Sequence, residues 1–282
     1  MVYKPKKRAI AARYQSVSFF ELVWCRIIEK YPMCFFATYF KYICDMFNSG
    51  IFLPIIIILG IAYSILAKKL TVLAAFTGGI LACLIFTAAA YPGLAMMTMF
   101  FILGSAATSV GRHRKLAFAT REEEKKGRNA MQVLANAGAA AIAAIVCLFY
   151  PRQAYLMLPA MAAAFASATA DTLSSELGMV YGRRFFNVIS FKPDRCGMDG
   201  VISLEGTLIG IAGSCIIAGI YALGWGWNIS FFFIVLAGTL GNLTDSILGA
   251  VLERKGMIGN DAVNFLNTLT AAVVVVLLEV FL

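Results

Sequence analysis

The sequence predicts an all-α fold, a polytopic transmembrane helical bundle of about eight spans, on three observations. Hydrophobic residues make up 61% of the 282-residue chain and charged residues only 14%, with a mean hydropathy of +0.81. A soluble domain carries nearer a quarter of its residues as charges. Apolar runs at about 51–67, 70–91, 93–110, 131–150, 154–170, 205–225, 229–252 and 264–282 each approach the length of a helix that crosses the ~30 Å hydrocarbon core. These runs are continuous and do not alternate in polarity, which argues against a closed barrel of strands.

Loop charge supplies the third observation and orients the bundle. The loops at 68–69, 111–130, 171–204 and 253–263 hold fifteen Lys or Arg residues, whereas the loops on the other side ("YPG", "PRQ", "GWGWN") hold one, Arg152. Basic loops stay in the cytoplasm, so the charged face is expected there. Eleven of the fifteen acids share that face, which gathers the candidate chemistry on one side.

Residues 1–50 form a basic amphipathic extension ahead of a transmembrane catalytic domain at 51–282. Eight basic residues in the extension conflict with eight spans, which would leave it outside. A short crossing near 31–44, an interfacial amphipathic helix around "FFELVWCRIIEKY" or a start at Met46 would each resolve the conflict. Seven cysteines show no CxxC spacing and read as small buried residues. "EEE" at 122–124 reads as a solvated helix face, and His113 as a solvated neighbour of cations. No nucleic-acid partner is expected.

Polar residues enter the apolar runs at helical spacing. Arg128, Gln132 and Asn136 fall at i, i+4 and i+8 and make one stripe into the fourth run. Asp171 opens the loop after the uncharged "LMLPAMAAAFASATA", and Asp245 lies inside the seventh run beside Asn242. Asp261, Asn264 and Thr268 lead into the eighth run, with Asn260 and Asn267 alongside, and Glu205 and Thr207 open the sixth. Asn, Ser and Thr in such positions can simply join helices by hydrogen bonds. A carboxylate within a span costs ~2.5–3.5 kcal/mol to insert and normally faces a polar cavity with a function.

Carboxylates and amide oxygens suit Mg²⁺, which keeps waters and uses one or two carboxylates together with substrate phosphates. The loop "GRRFFNVISFKPDRCGMDG" at 182–200 adds Arg183, Arg184, Lys192 and Arg195 among glycines whose backbone can approach an anion. Together these features point to phosphoryl or nucleotidyl chemistry on a lipid headgroup at the cytoplasmic interface.

The segments "RNAMQVLANAG" (128–138), "ADTLSSELG" (170–178), "GMDGVISLEGTLIG" (197–210), "GNLTDSILGA" (241–250) and "NDAVNFLNTL" (260–269) resemble, in order and spacing, the integral membrane family that contains plant phytyl-phosphate kinase. The layout from Asp171 to "EGTLIG" is also loosely similar to the signature of phosphatidate cytidylyltransferase and of the dolichol and phytol kinases, which handle CTP. The resemblance implies an isoprenyl-monophosphate kinase with Mg²⁺ and CTP or another nucleoside triphosphate as donor. It implies Asp171 and Asp245 as metal-holding catalytic residues, with Asp261 or Glu176 as a further ligand. It implies Arg128, Arg183 and Lys192 on phosphates, and Gln132, Asn136, Asn260 and Asn264 orienting metal waters or the acceptor. The loop from Gly197 through Gly200 and Glu205 to Gly206 would close over the nucleotide. Asp199 in "GMDG" departs from the small neutral residues expected there. Two other readings stay open: a lipid cytidylyltransferase or free-alcohol kinase, and a lipid transporter whose Asp245 binds a coupling cation.

Overall fold

The computed structural model describes residues 52–111 and 127–282. The expectations for residues 1–50, His113 and Glu122–Glu124 lie outside the described residues. Seven helices form the described fold: α1 (Leu53–Leu66), α2 (Val72–Ser109), α3 (Ala130–Phe149), α4 (Ala154–Tyr181), α5 (Leu204–Trp225), α6 (Ser230–Leu248) and α7 (Asn260–Phe281). A 3-10 turn at Pro151–Gln153 precedes α4, and a π-helical turn at Gly249–Glu253 extends α6. The strands β1 (Phe186–Asn187) and β2 (Val201–Ile202) pair antiparallel within the loop between α4 and α5. The protein is an all-α integral membrane bundle.

The lengths of the helices do not by themselves establish the expected count of eight crossings. Six are long and apolar enough to cross a membrane, and α1, with 14 residues, reaches only about 21 Å at 1.5 Å per residue. Helix α2 comprises two helical arms, the second and third apolar runs, which meet at a break at Ala90 (φ 47°, ψ −147°) just before Pro92, beside the expected "YPG" turn. The two arms fold back on each other. A Cβ built on Gly93 would lie 3.0 Å from Ile85 Cγ2, eight residues back, a separation of about 12 Å in a straight helix. Lys69 Nζ, just before α2, donates to Ser109 Oγ at its far end over 2.7 Å.

The fold-back places the loops. Arg128 N–H donates to Lys69 O (2.9 Å) and Thr71 N–H to Arg128 O (3.0 Å), tying the start of α3 to the start of α2. The backbones of α4 and α5 meet where Gly178 abuts Gly206, and Asp194 pairs with Arg254 at 2.8 Å. The loops at 67–71, 182–203 and 254–259 therefore share one end of the bundle with Arg128. Pro92 lies against Gly224 at the other end, with the 150–153 and 226–229 turns. Among the described residues, nine Lys or Arg side chains occupy the first end, and Arg152 the second.

Helix α4 is the axis. From Ala160 to Ala170 every residue is buried, eight of them alanine or serine at 2% exposure or less. It packs against α2, α3, α5, α6 and α7. Small side chains permit this because, without a hydrophobic drive between helices in lipid, close backbone approach supplies the packing. Gly206, Gly210 and Gly213 line the face of α5 that meets α4, and a Cβ on Gly210 would sit 3.0 Å from Ala170 O. Gly238 and Gly241 do the same for α6. Large aliphatic residues such as Ile58, Leu59 and Leu223 remain exposed on the outer helices, as a lipid-facing surface requires.

Candidate functional site

Three helix starts bring polar groups to the charged end. Asn129 caps α3 through a capping box: its Oδ1 accepts from Gln132 N–H (3.0 Å), and Gln132 Oε1 accepts from Asn129 N–H (2.9 Å). Asn136 Nδ2 then donates to Gln132 O (2.8 Å), which leaves its amide oxygen toward the interior. Ser203 caps α5 by accepting from Gly206 N–H (3.1 Å). In α7, Asn264 Nδ2 donates to Asn260 Oδ1 (2.7 Å).

Between these starts, α4 and the end of α6, lies a cavity of about 400 Å³. Asp171 from α4 and Asp245 from α6 meet within hydrogen-bonding reach of each other. Asn267 Nδ2 donates to Asp245 Oδ1 at 2.6 Å, and Ser167 Oγ donates to Asn267 Oδ1 at 3.1 Å, so a buried polar chain from α7 and α4 fixes one side of the pair. Ser174 Oγ, three residues beyond Asp171, donates to Asn242 Oδ1 (3.0 Å), three residues before Asp245. Facing carboxylates repel unless a proton or a cation lies between them.

Arg128 stands on the other side of the pair. Its guanidinium lies 6.0 Å from the Phe100 ring centroid and beside Gly104 and Thr172. Burial lowers the Arg128 pKa from its ordinary value, while Glu176 and Asp171 oppose that shift. Glu176 Oε1 accepts from Thr108 Oγ1 (3.1 Å). Asp199 and Glu253 complete the wall, and Gly200, at φ +73°, lets the loop pack directly on Ala250 of the π-helical turn. The described lining holds five acids and one arginine.

Of the sequence-predicted residues, the cavity brings together Arg128, Gln132, Asn136, Asp171, Glu176, Gly197, Gly200, Gly206, Asp245, Asn260 and Asn264. Arg183, Lys192, Glu205 and Asp261 stand off it. Glu205 and Asp261 occupy the first turns of α5 and α7, where a carboxylate is favoured by the unpaired N–H groups of the helix. Glu205 Oε2 also accepts from Arg183 N–H at 3.4 Å. Lys192 lies exposed beyond the strand pair. The expected metal set of Asp171, Glu176, Asp245 and Asp261 is thus divided. Among the described residues no group of three His, Cys, Asp or Glu side chains gathers as a metal centre, and of the four expected ligands Asp171 and Asp245 are in contact at the cavity wall.

Sequence reasoning undervalued Asn242, Glu253 and Asn267. Helical spacing carries a signal for the first two, since Asn242 lies three residues before Asp245 and Glu253 eight after it. Asn267 reads equally well as a helix-joining amide, and its partner becomes evident only when α7 is packed on α6.

Residues 55–272 match the model of the integral membrane protein family DUF92. An uncharacterised membrane protein of Synechocystis sp. is 31% identical over 206 residues, which cover 71% of this chain and 79% of that protein. One from Methanocaldococcus jannaschii is 34% identical over 66% of this chain and 75% of its own length. The chloroplastic protein VTE6 of Arabidopsis thaliana is 30% identical over 67% of this chain and 59% of its own length. No solved structure matches. With the motif segments from 128 to 269 all inside the matched region, the chain belongs to the DUF92 family of integral membrane proteins.

Proposed function

We propose that the protein is a membrane-embedded kinase that converts an isoprenyl monophosphate to the diphosphate at the expense of a nucleoside triphosphate, CTP favoured. The observation that carries this reading is the contact between Asp171 and Asp245 at the head of a cavity walled by five acids, several amides and Arg128. The resemblance of those segments to the family of plant phytyl-phosphate kinase supports an isoprenyl phosphate as the substrate class. Asp171 and Asp245 suit Mg²⁺, because two adjacent carboxylates need a positive partner and amides nearby can hold its waters. Bound there, the ion would neutralise charge on the transferring phosphoryl group.

The remaining work is positioning. An oxygen of the acceptor monophosphate attacks the γ-phosphorus, the bond to the β,γ-bridging oxygen breaks, and the nucleoside diphosphate leaves with that electron pair. No nucleophilic side chain is required. Arg128 holds phosphate oxygens at the cavity wall, where its fork can engage two at once. Asn136, Asn260 and Asn264 orient the acceptor or metal waters, and the 197–206 loop covers the nucleotide. Arg183 and Lys192, on the loop outside the wall, attract the incoming polyanion. The basic end of the bundle faces the cytoplasm by the positive-inside rule. Toward the other end the helices close on Phe165, Ile217, Ile234 and Val275, all fully buried, which favours catalysis at one face over passage between two.

The test is to incubate vesicles containing the protein with Mg²⁺, labelled CTP and a panel of isoprenyl monophosphates. Isoprenyl diphosphate and CDP should form in inside-out vesicles, and only after permeabilisation in right-side-out ones. Pyrophosphate release would instead identify a cytidylyltransferase, and the absence of both products with every substrate and nucleotide would overturn the enzyme reading.

A further inference from the structure

A second cavity, of about 200 Å³, lies between α1, both arms of α2 and the start of α3. Its walls are aliphatic and aromatic, including Ile57, Ile61, Leu94, Met97 and Phe101. Arg128, Gln132 and Asn136 line both this groove and the polar cavity, so the two meet at those residues. Glycine makes part of the space. A Cβ built on Gly60 or on Gly78 would meet nothing within 4 Å, whereas one on neighbouring Gly79 would lie 2.9 Å from Ile61 Cδ1. Helix α1, short and packed mainly on α2, exposes Ile58, Leu59 and Tyr63 outward, so the groove lies at the lipid-facing edge of the bundle.

We infer that this groove is the binding site for the hydrocarbon chain of a phosphorylated lipid acceptor, whose phosphate lies at Arg128. The inference rests on the kinase reading for the headgroup and adds where the chain goes. An amphiphile with a single anionic end matches a groove that is apolar along its length and cationic where it joins the polar cavity. A hydrocarbon without an anionic end would satisfy the apolar walls but leave the Arg128 fork, which faces the crowded acids of the polar cavity, with no phosphate to hold. Entry from the bilayer past α1 lets the headgroup slide in at the interface without the chain leaving apolar surroundings.

The experiment uses the whole protein in detergent and an isoprenyl monophosphate that carries a diazirine on its terminal unit. Irradiation should label peptides of α1 and of the α2 arms. Unlabelled isoprenyl monophosphate should compete, and phosphatidylglycerol should not. Gly78→Leu, or Gly60→Leu should the first variant fold poorly, should cut labelling and raise KM for long-chain acceptors at least about tenfold, while KM for the nucleotide and turnover of a five-carbon acceptor stay unchanged. Labelling confined to α5–α7, or unaltered in both variants, would overturn the inference, as would equal competition by phosphatidylglycerol. Labelling needs no turnover, so specific labelling of the groove without any diphosphate product would sink the kinase reading and leave the groove standing.

Discussion

At the end of the bundle where α4 and α6 carry Asp171 and Asp245, the helices stand apart around a cavity of about 400 Å³. At the other end the same helices close over apolar side chains, with Tyr221 and Trp225 rings 4.9 Å apart and Trp227 and Phe231 rings 5.2 Å apart. The contrast follows from solvent. Tyr and Trp rings suit a membrane interface, apolar in body and polar at one edge, and Tyr221 meets Ser230 through its hydroxyl. A carboxylate carried into a span is tolerated when neighbouring groups satisfy it, and here Asn267, Ser167 and Arg128 are held ready around the pair. Stability is concentrated where small residues let helices touch, and chemistry where polar residues keep them apart.

The largest expected effect falls on the carboxyl pair. Asp245→Asn or Asp171→Asn keeps the shape, and an asparagine at 245 still offers its Oδ1 to Asn267. Turnover should drop by about 10²–10³, the loss seen when one preorganised charge is removed from a transition state. Thermal stability should hold or rise, because an amide is cheaper to bury than a crowded carboxylate. Steady-state kinetics with a melting curve in detergent separates the two effects, and near-normal turnover would reduce the pair to helix-packing acids.

A smaller effect contrasts glycines near the two ends. A Cβ at Gly241 would collide with Ser167 and lie 2.8 Å from Asn267 O, so Gly241→Ala should push α6 from α4 and α7 and cost about 1–3 kcal/mol. At Gly219, deeper along α5, an added Cβ meets nothing within 4 Å, and Gly219→Ala should stabilise by about 0.5–1 kcal/mol. Equal shifts in denaturation midpoint would show that helix contact is no tighter around the site than elsewhere.

The smallest effect concerns the loop over the cavity. A hydrogen bond from Arg254 holds the Asp194 carboxyl below its ordinary pKa, with Arg195 N–H assisting. A depressed folded pKa contributes loop protection above the unfolded value, about 3.9, and the contribution disappears as pH falls through the folded value. At pH 7, Asp194→Asn should therefore speed hydrogen exchange in residues 186–202 by roughly two- to fivefold, the range of an exposed pair. The two proteins should converge only once the pH has fallen below the depressed folded pKa of Asp194, and a difference that persists there would assign the effect to something other than the ion pair.

The sequence by itself determined the medium, the all-helical fold and most of the cavity. A run such as Ala160–Ala170 reads as buried helix in lipid, and Gln132 and Asn136 retain their common face because helix periodicity is local, whereas Arg128 joins them from the extended residues ahead of the cap Asn129. The sequence divided 70–110 into two runs at the "YPG" turn, next to the break at Ala90, but the contact between Lys69 and Ser109 depends on how the two arms pack. The sequence did not divide the acids. Asp245, inside the seventh run, and Asp261, just ahead of the eighth, are alike in sequence as acids with asparagines close by. Packing sets Asp245 against Asp171 and Asn267, while Asp261 takes up the first turn of α7. Which carboxylates meet is a property of helices brought together across long stretches of chain, and only the tertiary structure decides it.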